Sequence, residues 1–290
     1  MDITKAFIKA KQPCADGFRW YVRNATAHDT YQQLLDALVA EGRIDDACWL
    51  LDQFGPTDAV RTLDHVESSA IVFAGTLQVR GHIDVDSVVR VGRDMRAGGG
   101  IRAGRTVVAG GDINSDAALS CDGNISAGGD LHVAWNVQAG GEISAERIRV
   151  GWNLMGGAGL RARGDVWVGH ALHLGGAFEG DRGLRVGEEI QCAAGVQARH
   201  GVECGETLQC AGHLDAGWGI RVGGAVRAEG AIRAGESISA GDEILAGLGY
   251  GIYAGLVVRS DAWEVSAQVR ACRHPEELKS GWWAGSTAVA

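Results

Sequence analysis

From Ile71 onward a large aliphatic residue recurs every six positions, at Leu77, Ile83, Val89, Met95, Ile101, Val107, Ile113, Leu119, Ile125, Leu131, Val137 and Ile143. A smaller apolar residue commonly follows two places later, as at Val85, Val91, Ala97, Ala103, Ala109, Ala127, Val133 and Ala139, and the next position is most often glycine. The unit reads large, x, small, Gly, x, x. Apolar alternation over three residues predicts a short strand whose two inward side chains bracket one outward side chain. The Gly-x-x that follows predicts a corner, in which glycine supplies the φ > 0 that a tight bend commonly needs. Asp116, Asp122 and Asp181 stand at the same position as substitutes tolerant of that region.

Six residues cannot bury their own apolar pair. Three such sides closing a triangle, stacked on identical triangles, can. The expected fold is all-β: a three-sided, single-stranded β-solenoid (β-helix) of about 18 residues per coil, rising about 4.8 Å per coil, the spacing of hydrogen-bonded strands. The pattern leaves its handedness open.

The count slips once. From Ile143 the next aliphatic residue is Ile148, five later, and sixes then resume from Leu154 to Ile244. One corner near Ala145 to Arg147 is a residue short. Trp135 and Trp152, each followed by asparagine and 17 apart, therefore occupy the same corner of successive coils. That column continues to His170, Glu188 and Glu206, and runs back to Ala117, Gly99 and Gly81.

Both ends break the rhythm. Tyr31, Leu34, Leu35 and Leu38 show helical spacing, with Thr30 and Gln33 forming a capping box and Gly42 a stop. Ile44, Ala47, Cys48 and Leu51 repeat that spacing before Gly55-Pro56. We assign residues 1–60 to a helical N-terminal capping domain covering the apolar cross-section of the first coil, 61–258 to the solenoid, and 259–290 to a C-terminal cap or tail. In the last segment Pro275 would start a helical turn, and Trp282-Trp283 would fold back over the last coil or contact a second subunit.

Composition narrows the function. Glycine contributes 45 of 290 residues without a strict every-third spacing, which excludes collagen. A net charge of −9 argues against nucleic acid and anionic membrane as partners. The N-terminus has no uninterrupted apolar run, and seven cysteines at irregular spacing fit reduced thiols, so a cytoplasmic location is expected.

The strings VAGGDIN (108–114), SAGGDLHV (126–133), QAGGEISA (138–145) and SAGDEILA (239–246) resemble the repeats of bactofilins, bacterial polymer-forming cytoskeletal proteins, and the β-solenoid of the flagellar assembly protein A family. The resemblance covers residues 71 to about 258. It implies a β-solenoid fold and, for bactofilins, end-to-end polymerisation between disordered tails, where this chain has a helical N-terminal region. The hexapeptide acyltransferases also build a β-helix, with the large and small positions exchanged.

Trp135, Trp152, His170 and Glu188 are the candidate binding residues of the solenoid. Exposed indoles are favoured interface anchors, although the rings would also lie well across neighbouring glycine corners. Trp20 and Trp49, with Tyr21, are either core or contact residues of the helical region. Cys192 and Cys210 should stack inward as small hydrophobes, with Cys204 on another side. His173, His200 and His213 fall outward, so no metal site and no cofactor are expected. Outward charges should form two ladders: Arg185, Glu203 and Arg221; and Arg161, Glu179, Gln197, Asp215 and Arg233. GLGYG at 247–251 lacks the third glycine of a dinucleotide fingerprint, and no phosphate loop or hydrolase motif occurs.

The expected function is a non-catalytic bacterial β-solenoid scaffold presenting a protein-interaction surface to an unidentified partner, monomeric or homodimeric through its C-terminal end. An immunity or antagonist protein is its narrower form. The alternatives are a bactofilin-like polymer and a hexapeptide-type acyltransferase.

Overall fold

The computed structural model describes residues 5–24, 30–258 and 261–286. Three parallel sheets of 13, 11 and 12 strands form the walls of a triangular prism of about twelve coils. We call these walls faces A, B and C, in the order each coil visits them. On face A, Leu131, Ile148, Val166 and Leu184 stack in one inward column, each at most 1% exposed. The short corner appears where expected. Leu131, Val137 and Ile143 pair with Ile148, Leu154 and Leu160, 17 residues on, and the offset is 18 again from Ile148 to Val166. A deletion at a corner shortens one bend without moving a side chain to the other side of its strand, so every column survives.

The corner glycines act for a different reason than expected. The described glycines with left-handed φ are Gly42, Gly55, Gly249, Gly255, Gly281 and Gly285, all outside the regular repeats. Within the repeats the constraint is proximity. Along the A/B edge a Cβ placed on Gly187 would overlap the carbonyl oxygen of Gly169, and one on Gly205 would overlap that of Gly187. Corners stacked at strand spacing crowd this position, which is glycine from Gly151 to Gly241 and carries Arg80, Asp116 or Ala134 in earlier coils.

Four helices precede the solenoid: α1 (Lys5–Ala10), α2 (Ala15–Asn24), α3 (Tyr31–Ala40) and α4 (Ile44–Phe54). The last two are the expected hairpin. Its capping box is formed, with the Gln33 amide donating to Thr30 Oγ1 at 3.3 Å and Thr30 N–H donating to Gln33 Oε1 at 2.8 Å. The first two were not anticipated. The cap also sits differently from a lid across the cross-section. It packs chiefly against face C of the first coil, where the outward side chain of Val72 is buried with Leu34, Leu35, Leu38 and Leu50. Gln32 of α3 closes the free edge of the Ile71–Phe73 strand, donating to the Val72 carbonyl at 2.9 Å and accepting from the Ala74 N–H at 3.0 Å. The interior end is closed by Arg61, which stands in register with inward Leu77, lies 4.8 Å over the Phe73 ring and pairs with Asp36 of α3 at 3.2 Å.

The prism continues beyond residue 258. Ile252–Tyr253 and Leu278–Ser280 extend face C, and Gln268–Arg270 and Trp282–Trp283 extend face A, with a short helix, α5 (Trp263–Ser266), between. The segment assigned to a cap or tail thus carries three strands. Pro275 opens a turn instead of a helix, its carbonyl accepting from Leu278 N–H at 3.4 Å. Trp282 and Trp283 do not fold back: they form the last strand of face A, their backbone bonds running sideways to the Gln268–Arg270 strand. Among the described residues no helix is long and apolar enough to cross a membrane.

Candidate interaction surface

From Val79 onward each A/B corner is a bend of three residues, and at Trp135 and Trp152 the middle one is exposed. The backbone N–H of Trp152 donates to the Trp135 carbonyl at 3.1 Å, His170 to Trp152 at 3.1 Å, Glu188 to His170 at 3.0 Å and Glu206 to Glu188 at 2.7 Å. The four solenoid candidates are therefore consecutive rungs of one edge. The asparagine after each tryptophan fixes the bend: Asn136 Oδ1 accepts from Asn153 N–H, and Asn153 Oδ1 from Ala171 N–H, both at 3.1 Å. Asp94, Asp112 and Asn124 do the same on other edges, each carrying a side-chain oxygen to the N–H one coil above.

Trp135 is 58% exposed and Trp152 54%, values that leave most of each ring in water rather than folded onto the corners beside it. The Trp152 ring lies 5.2 Å from that of His170, whose Nδ1 is 2.6 Å from Glu188 Oε1. A residue three places before the corner lies on face A and one three places after lies on face B. Those positions widen the patch beyond the corner column, bringing in Arg149, Trp167 and Met155 and the outward-facing His173. Trp167 on face A stacks under the Arg149 guanidinium at 5.1 Å, and exposed Met155 and half-buried His173 stand on face B. His173 Nε2 is 2.7 Å from Glu189 Oε1. Adding three to or subtracting three from Trp152 and His170 would have found all of them.

Trp20 and Trp49 lie elsewhere, in the helical region. Trp20 is buried, its indole N–H donating to Glu41. Both indoles line a cavity of about 240 Å³ with Tyr21, Leu34, Leu38, Leu50, Asp45 and Asp46. The structure brings neither to the solenoid patch. Trp20 is a core residue, and half-buried Trp49 packs against the same cluster.

Cys192 and Cys210 face each other in register inside face B, and Cys204 lies inside face A. Burial pushes the Cys192 thiol up to about 12, and those of Cys204 and Cys210 to about 11, so none is a thiolate at neutral pH. Among the described residues no group of three or more His, Cys, Asp or Glu side chains is arranged to hold a metal ion. The charge ladders are formed in part, with Arg185 to Glu203 at 2.7 Å, Arg161 to Glu179 at 2.9 Å and Arg233 to Asp215 at 3.3 Å, while Arg221 stands in register with Glu203 without an ion pair. Exposed pairs of this kind contribute about 0.2–1 kcal/mol each, enough to favour register and too little to hold the prism.

The family described as YdhT N-terminal domain matches residues 1–54, the helical region, and not the solenoid. No curated protein and no solved structure matches the chain.

Proposed function

We propose that this protein is a rigid, non-catalytic scaffold that holds a protein partner against the A/B edge of its solenoid. The observation that carries this reading is the cluster of solvent-facing indoles at Trp135, Trp152 and Trp167 on a backbone too tightly ladder-bonded to fold over them. Large aromatics that remain exposed on a preorganised surface lose little conformational entropy when a partner covers them. The helical region, seated on face C and built around its own core, leaves that edge open. An immunity or antagonist role is the narrower form of the proposal, because such a protein needs a binding surface and no chemistry.

A homodimer through the C-terminal end is a second reading. It is favoured by Leu248, Tyr250, Leu256, Val257, Trp263, Val265, Trp282 and Trp283, all exposed and all within the last coils. A bactofilin-like polymer would need both ends open, and Gln32 with Arg61 occupies the first. An acyltransferase would need a histidine facing a cleft between subunits.

The test is affinity capture of a stoichiometric partner from the native cell by the intact protein and by the Trp135→Ala/Trp152→Ala variant. Capture by the first and loss by the second is the expected result. Equal capture removes the edge from the function, and a trimer in light scattering with acyl-coenzyme A binding would move the reading to a transferase.

A further inference from the structure

The arginines of the solenoid are not distributed alike over its three faces. On face B, Arg102 pairs with Asp84 at 2.6 Å and Arg227 with Glu243 at 2.8 Å. On face C, the outward Arg90, Arg161 and Arg233 all have carboxylate partners. On face A, among the described residues, the outward Arg96, Arg149, Arg221 and Arg270 make no ion pair, and of the outward arginines only Arg185 is neutralised, by Glu203. A chain of net charge −9 has thus left one wall with uncompensated guanidinium groups, beside the indole edge.

Four of the five outward arginines of face A are also evenly spaced, three of them unpaired and one, Arg185, held by Glu203. Arg149, Arg185, Arg221 and Arg270 stand at the outward position of alternate strands, with Trp167, Glu203 and Ser239 between them. Two coils rise about 9.6 Å, so the four guanidinium stems form a comb about 29 Å long. At its C-terminal end the comb enters a groove of about 430 Å³ lined by Arg221, Arg270, Trp218 and Val265 together with Glu203 and Glu236.

Resting on the scaffold reading above, we propose that face A receives an acidic polyproline-II segment of the partner protein, with a carboxylate at every third residue. That conformation has three residues per turn and about 3.1 Å of rise per residue, so such carboxylates line one side at intervals of about 9.3 Å. The match to the comb is within about 1 Å over its length. Arginine suits carboxylates because its planar fork makes two parallel hydrogen bonds. Exposed indoles suit the pyrrolidine rings between them, as in the aromatic-lined grooves that take proline-rich ligands. A nucleic-acid strand fits less well. Its charges come at about 3.4 Å of helix rise, so only about one phosphate in three would meet an arginine and the others would fall on Trp167, Glu203 or Ser239 between them.

The test uses the full chain and three fluorescein-labelled probes in low salt, followed by fluorescence anisotropy. One probe has four Glu-Pro-Pro repeats, the second has the same residues with the four glutamates together, and the third is a twelve-nucleotide oligothymidylate. The expected result is that the spaced peptide binds at least five-fold tighter than the blocked one. Arg149→Gln/Arg221→Gln should weaken it at least ten-fold while leaving the thermal midpoint unchanged. Equal binding of the two peptides, or no effect of the double variant, overturns the proposal. Tighter binding of the oligothymidylate overturns it in favour of a nucleic-acid surface. In the capture experiment, loss of partner with Trp135→Ala/Trp152→Ala but full retention with Arg149→Gln/Arg221→Gln removes the comb and keeps the scaffold; capture of no partner by the intact chain removes the scaffold.

Discussion

At the first coil, the free edge of the Ile71–Phe73 strand is closed by the Gln32 amide, and the open interior by Arg61 with its Asp36 partner. At the last coils, the Trp282–Trp283 strand ends face A with both indoles 39% exposed, and the loop after the Ile244–Leu245 strand leaves Leu248 wholly in solvent. The middle coils need neither device, since every strand there has a neighbour on each side. A solenoid is nearly one-dimensional, so its two ends are where unpaired strand groups and apolar cross-section meet water. This chain closes one end with a folded unit and leaves apolar surface at the other, which makes the ends unequal and directs any self-association to one of them.

Removing residues 1–54 should have the largest effect. It frees the Ile71–Phe73 edge and uncovers Val72, and light scattering should then show a shift from small species to polydisperse assemblies. A monodisperse truncated chain would mean that the helices are not what keeps that edge from pairing. Gln32→Ala asks the same question at one side chain. It leaves the Val72 carbonyl and the Ala74 N–H without partners and should lower stability by about 1–3 kcal/mol, with amide exchange rising first in strand 71–73. Protection unchanged there would place the closure elsewhere in the cap.

At the opposite end, Trp282→Ser with Trp283→Ser should lower stability by about 1–3 kcal/mol, because each indole is only 39% exposed and that of Trp282 donates to the Glu264 carbonyl at 2.7 Å. The same change should weaken self-association about ten-fold in sedimentation velocity if the C-terminal end is the dimer contact. No change in association would assign those indoles to stability alone. The smallest effect at neutral pH concerns thiols. Exposed Cys14 and Cys272 should react readily with an aromatic disulfide, whereas Cys192, Cys204 and Cys210 of the middle coils should react only on unfolding. Burial raises these three thiols, so their contribution to stability is complete below pH 9.0 and falls as pH rises through about 11 and about 12. A flat unfolding free energy between pH 9.0 and about 12 would contradict this burial.

The six-residue spacing alone carried the prism, its three walls, the vertical columns and the repair of the short corner, because periodicity states which residues share a side whatever surrounds them. It carried the edge column of Trp135, Trp152, His170 and Glu188 for the same reason, and would have carried Trp167 and Met155 had the step of three on either side of the corner been taken. Three things were decided only in the folded molecule. Corner glycines are favoured by the carbonyl of the preceding coil and not by their own φ, a contact between residues 18 apart that no local preference expresses. The helices settle on face C because Val72 and the strand edge beside it offer both apolar area and two unmet backbone groups. Which arginines are neutralised depends on carboxylates that reach them from other coils and from the cap, and only distances tell the paired walls from the bare one.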